Sequence, residues 1–154
     1  MESVVLRPIA FVANSRTEPT DDSWGSVEST LTLDERFPET ALAGLAEFSH
    51  AEVVYFFHRA DEDATTRGAR RPRGLADTPE CGVFAQRNKD RPNHIGVSRC
   101  EIVAVEGRVL RVRGLDAIDG SPVLDIKPHF SSFVPPERDV REPAWVATIT
   151  REYF

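Results

Sequence analysis

The sequence predicts a mainly-β fold, a single barrel or strongly curved sheet with one short helix and long loops. Three observations predict it. Residues 27–33 alternate with period two, residues 51–58 (AEVVYFFH) form a continuous apolar run of strand length, and Glu106-Gly107 separates two apolar runs as a hairpin turn does. Only one stretch shows helical spacing. At 154 residues the chain suits one domain with a real core and is too short to argue for two.

In chain order, residues 4–12 (VVLRPIAFV) have strand composition, with Pro8 acceptable only at an edge or a bulge. Residues 14–23 (NSRTEPTDDS) are turn and loop. Val27, Ser29, Leu31 and Leu33 then share one face of a second strand, with Glu28, Thr30 and Thr32 on its wet face. Within 38–48, Ala41, Leu42, Leu45 and Phe48 recur at helical spacing behind Pro38, and Gly44 keeps that helix short. The run 51–58 reads as a strand buried on both faces. Residues 59–80 lack periodicity and form a long surface loop, a length that in small domains goes with function or disorder. Strands at 97–105 and 108–113, a turn at Asp119-Gly120 and a short strand at 122–126 complete the core. The tail 131–143 is polar and Pro-rich, and 145–149 (WVATI) returns to strand composition.

Composition narrows the function classes. No run of about 18 apolar residues exists, and the start MESVVLRPIA lacks a secretory pattern, so a cytoplasmic protein with no membrane association is expected. Cys81 and Cys100, the only cysteines, are expected as free thiols on buried strands. A net charge of -6 argues against a general nucleic-acid-coating protein. Yet Arg67, Arg70, Arg71, Arg73, Arg87, Lys89, Arg91 and Arg99 face only Asp77, Glu80 and Asp90 in the window 67–99, which suits either a solvated loop or an anionic partner.

Familiar chemistries are missing. There is no HExxH, HxH or CxxC, and His50 and His58 are about 26 Å apart on an extended strand at about 3.3 Å per residue. No metal is expected. GxSxG, GxGxxG after a strand, and GxxxxGK[ST] are all absent. What remains is Arg87, Arg91, Asn93 and His94 on one loop with Asp119, Gly120, Asp125 and Lys127 on the other. Rigidified by Pro92, Pro122 and Pro128, such opposed charges can bind a small zwitterion.

The texts GVFAQRNKDRPNHIGVS and GLDAIDGSPVLDIKPH resemble the signature of the TsaA-like, or tRNA methyltransferase O, family, close to GVFATRSPxRPNPIGLS and DxxDGTPxLDIKPY. GLAEFSHAEVVYFFH is similar to that family's GLEGFSHxWVxFxFH. The resemblance implies one TsaA-like β-barrel domain over 1–154, with a core signature at about 4–130 and a C-terminal extension at 131–154. It implies a homodimer that uses S-adenosylmethionine to methylate N6 of threonylcarbamoyladenosine in tRNA, or a related modified nucleoside. Carried over, it places the cofactor against His58, Arg59, Arg87, Val97, Ile118, Asp119, Gly120 and Ser121. Arg91, Asn93 and His94 fall on the acceptor side, with Asp125, Lys127 and His50 as catalytic candidates and Asp125 or His50 as the base.

The departures cluster at the pocket. The family's early Pro-Arg-Gln is replaced by Pro19-Thr20-Asp21, and Gln86, His94 and His129 break the signature. A second reading therefore stands beside the first: a non-catalytic or repurposed relative that binds S-adenosylmethionine or an anionic small molecule.

Overall fold

The computed structural model describes residues 3–154. Six strands close into an antiparallel barrel, in the order β1 (Ala10–Ala13), β2 (Glu28–Leu33), β7 (Val109–Arg113), β6 (Ile95–Glu106), β3 (His50–Phe56) and β8 (Pro122–Pro128), which returns to β1. A separate two-stranded ladder joins β4 (Ala69–Arg70) to β5 (Cys81–Gly82). Closure removes exposed strand edges, and each strand sends alternate side chains inward. Leu31, Val53, Leu110, Val112, Leu115 and Val123 fill that interior and are completely buried.

Strand β2 follows its predicted alternation, with Ser29, Leu31 and Leu33 buried. Strand β6 is long because it serves two neighbours. Its first half pairs β3 from Phe56↔Ile95 to His50↔Glu101, and its second half pairs β7 from Glu101↔Arg113 to Glu106↔Val109, across a register shift between Ile102 and Ala104. Gly107, at φ +58, turns β6 into β7 at the first position of a two-residue loop, where glycine is preferred.

Four expectations change. The first strand begins at Ala10 rather than residue 4, because pairing starts at Ala10↔Leu33 and Ala10↔Val123, and Pro8 just before it has no N–H to donate. Strand β3 is buried through Ala51, Val53 and Tyr55 only; its outer side chains are half-covered, so the apolar run does not mean burial on both faces. The segment 38–48 is two 3₁₀ turns, Glu39–Leu42 and Leu45–Glu47, separated by Gly44 at φ +83. Finally, 145–149 is not a strand. A closed barrel offers it no edge, so it satisfies its backbone internally as helix α1 (Trp145–Thr150).

The loop 59–80 is folded rather than structureless. It carries β4 and the turn Pro72–Gly74, and the buried Gln86 clamps it by donating from Nε2 to the carbonyls of Arg70 (2.9 Å) and Cys81 (2.8 Å). Gln86→Ala would remove both clamping bonds and leave a gap at a buried position, and is expected to cost about 1–3 kcal/mol, read as a lowered urea midpoint. Both cysteines are free, and burial pushes the Cys100 thiol up to about 12.

Candidate functional site

One end of the barrel gathers four segments: the β1–β2 loop, the residues after β3, the loop before β6 and the β7–β8 turn. Asn14 ties three of the elements there together. Its Nδ2 donates to Ser29 Oγ and to the Ala117 carbonyl, both at 2.9 Å, and its backbone N–H donates to Asp119 Oδ1 at 3.1 Å. The turn 118–121 closes through Ser121 N–H to the Ile118 carbonyl, with Gly120 at φ +77. It is pinned to β1 by Gly120 N–H to Val12 O (2.8 Å) and Val12 N–H to Ser121 O (3.0 Å). Ile118 and Ser121 are buried, while Asp119 and Gly120 face solvent.

His58 stands over this turn. A Cβ on Gly120 would make ordinary contact with His58 Nε2, at 3.7 Å, so the backbone at φ +77 rather than space calls for glycine there. His58 Nδ1 is buried and has no hydrogen-bond partner among the described residues, an uncommon state for a buried polar atom. Burial, and then the neighbouring Arg59, hold the imidazole below its ordinary pKa against the opposing pull of Asp119. A neutral ring has one donor and one acceptor to offer. Arg59 swings outward, donating to the Thr17 carbonyl (2.7 Å) and pairing with Glu18 at 3.6 Å.

A second cluster lies under Arg87, whose Nη2 donates to the Val97 carbonyl at 2.7 Å. Beneath it the buried Tyr55 donates its hydroxyl to the Asp116 carbonyl, and Tyr153 donates its hydroxyl to Asp116 Oδ2. Gly96, opposite Tyr55, accommodates the tyrosine ring where a Cβ would stand. Burial pushes the Asp116 carboxyl up to about 6, with Asp21 adding to the rise while Tyr153, Arg87 and Arg16 oppose it. Asp116 is absent from the residues singled out from sequence, although its signal was present: it opens the Asp116-Ala-Ile-Asp119-Gly120 text that matches DxxDG.

The structure thus brings His58, Ile118, Asp119, Gly120 and Ser121 together and sets Arg87 beside Val97. Other sequence candidates are placed differently. His94, at φ +47, is buried, 2.8 Å from Thr65 Oγ1 through Nε2 and packed against Phe56, so it holds the loop 59–80. Arg91 donates inward to the Gln86 carbonyl (3.0 Å), and Asn93, at φ +64, is exposed. Asp125 pairs with Lys127 at 2.5 Å on the outer barrel surface, in successive rows with Val54 and Glu52. His50 starts β3, far along the strand from His58, and its Nδ1 lies 2.9 Å from Ser49 Oγ. The basic window is partly neutralised: Asp90 binds both Arg70 (3.1 Å) and Lys89 (2.8 Å). Burial opposes ionisation of Asp90, but those two cations prevail and hold its carboxyl below the usual range.

A groove of about 550 Å³ lies elsewhere, between the two 3₁₀ turns and residues such as Ile9, Leu33 and Ile126. Glu47 is its only ionisable lining residue, so charge chemistry favours the rim. Among the described residues no group of three or more His, Cys, Asp or Glu is placed to hold a metal, and no helix is long and apolar enough to cross a membrane.

Residues 13–133 match the model of the tRNA-methyltransferase O N-terminal domain. The chain belongs to that family. Among its relatives is a probable S-adenosyl-L-methionine-binding protein of Pyrococcus abyssi, 36% identical over 149 residues that cover 90% of this chain and 72% of the relative. A human tRNA (adenine(37)-N6)-methyltransferase is 37% identical over 69% of this chain, which spans only 23% of that protein. The barrel superposes on the crystal structure of TrmO from Pseudomonas aeruginosa with a TM-score of 0.73 at 30% identity, covering 91% of this chain and 61% of that one. The family match takes in five barrel strands whole and only the last residue of β1, and it stops before α1 and Tyr153.

Proposed function

We propose that this chain is an S-adenosylmethionine-dependent methyltransferase acting on N6 of adenosine 37 in tRNA, with threonylcarbamoyladenosine as the acceptor nucleoside. The observation that carries the reading is His58, with an orphaned buried Nδ1 over the turn 118–121, whose Gly120 adopts φ +77. His58, Asp119 and Arg87 would meet a zwitterion's hydroxyls, ammonium and carboxylate, with Ile118, Gly120 and Ser121 forming the wall. When bound, S-adenosylmethionine supplies a methyl group on a sulfonium, so no covalent enzyme intermediate is needed and the protein's work is positioning. Asn93, exposed on the loop before β6, would face the acceptor. The rim is open, with Val97 and Phe84 exposed, and a second copy of the chain is the cover the homodimer reading supplies; sedimentation equilibrium showing only monomer sinks that part.

Calorimetry with S-adenosylmethionine tests the premise, and no binding at high micromolar concentration overturns it. Arg87→Ala is expected to weaken binding about tenfold or more, the cost of one charge-assisted contact, with an unchanged melting temperature. A repurposed binder is the second reading, favoured by Pro19-Thr20-Asp21 in place of Pro-Arg-Gln. Binding without methyl transfer to tRNA would select it.

A further inference from the structure

The C-terminal segment lies outside the family match, yet it is docked on the site through several independent contacts. Ser23 N–H donates to the Glu152 carbonyl and Trp24 N–H to the Tyr153 carbonyl, both at 2.8 Å. Gly25 lets the backbone of Phe154 approach so closely that a Cβ there would stand 2.6 Å from it. Arg73 lies 5.6 Å from the centre of the Tyr153 ring while its guanidinium grips Asp22 at 2.7 and 3.1 Å. These contacts deliver one polar atom to the site: the Tyr153 hydroxyl, on Asp116 Oδ2.

Asp116 is therefore held at two points, its backbone carbonyl by Tyr55 and its carboxylate Oδ2 by Tyr153. Its Oδ1 has no hydrogen bond to a described residue and is not sealed from solvent. The two bases expected from sequence are worse placed. Asp125 is spent on Lys127, and His50 stands at the far end of β3.

We propose that Asp116 Oδ1 accepts the proton of the methylated nitrogen and that Tyr153, brought by the C-terminal segment, is the positioning residue that aims it. The inference rests on the methyl-transfer reading above. In the step, the acceptor nitrogen's lone pair forms the new N–CH₃ bond and the S–CH₃ electron pair stays on sulfur. The N–H proton passes to the Asp116 carboxylate and from there to water. A group whose pKa sits just below neutrality suits that task. The charges and titratable groups facing it are Asp21 and Arg16 from the β1–β2 loop, Arg87 from the loop before β6, Tyr55 from β3 and Tyr153 from the tail.

The test uses the full chain with bulk tRNA and methyl-labelled S-adenosylmethionine. Asp116→Asn is expected to lower kcat about 100-fold or more, the usual worth of a positioned base, while cofactor affinity by calorimetry changes less than threefold. Wild-type kcat in that variant overturns the proposal. Tyr153→Phe keeps the ring and removes the hydroxyl that favours ionised Asp116, so the acidic limb of its pH–rate profile should move up by about one unit. An unmoved limb overturns the positioning role. Carboxyl ¹³C titration of Asp116 in the same variant reads the same shift without turnover. A wild-type protein that binds cofactor but transfers nothing overturns the methyltransferase reading instead, and Asp116 falls with it as a base.

Discussion

Replacing Gly96 with alanine is expected to destabilise the fold by about 3 kcal/mol, near the upper end for overpacking a core. The added Cβ would stand 2.5 Å from Tyr55 Cζ and 2.6 Å from Cε2, inside any permitted contact distance. Tyr55 cannot yield cheaply. It is 1% exposed, its ring packs edge-on against Phe57, and its hydroxyl is committed to the Asp116 carbonyl. For a chain of this size the loss corresponds to about 6–12 °C in Tm. Tyr55→Leu in the same background should relieve the clash, so the double variant loses less than the sum of the singles. A Gly96→Ala protein that melts within a degree of wild type would show that the ring can shift.

The second large effect has the opposite sign. Asp116 has its pKa raised from 3.8 to about 6, mainly by burial. Between those values the folded chain binds more protons than the unfolded one, so this group's contribution to stability falls as pH rises through the window and is lowest above about pH 6. A difference of about 2.2 units at about 1.4 kcal/mol each is about 3 kcal/mol at neutral pH. Asp116→Asn removes the charge, keeps the shape and leaves an amide oxygen for Tyr153. It is expected to be more stable than wild type by about 2–3 kcal/mol at pH 7.5, with the gap nearly closed at pH 4. Measuring the difference between the two proteins cancels the contributions of Glu52, Asp90 and Asp34, whose carboxyls are held low by their own partners and run the other way. Equal denaturation midpoints at both pH values would sink the assignment. A variant that gains stability as it loses turnover is what a site maintained at a cost to the fold predicts.

Much of this protein was legible before its structure. Ser29, Leu31 and Leu33 alternate because one face of β2 is buried, and a period of two survives in any register. Gly120 was readable as a turn residue, since only glycine adopts φ +77 without strain. The failures share a cause. WVATI has strand composition, but whether it pairs depends on whether the barrel has an open edge, a fact about β1 and β8, which lie elsewhere in the sequence. His94 and Gln86 were conspicuous as breaks in a signature, yet the structure uses both to fold the loop 59–80, through partners that no local pattern connects. Asp116 was overlooked because nothing in its neighbourhood along the chain shows that Tyr55 and Tyr153 converge on it.

By itself, then, the sequence determined the mainly-β class, the positions of most strands and the family signature, because side-chain periodicity and turn chemistry are local properties of the backbone. Only the tertiary structure decided which polar residues form a site. Closing the barrel brings residues 58 and 120 against each other, docking of the tail sets residue 153 on 116, and the burial and loss of partners that result are what give those side chains their altered chemistry.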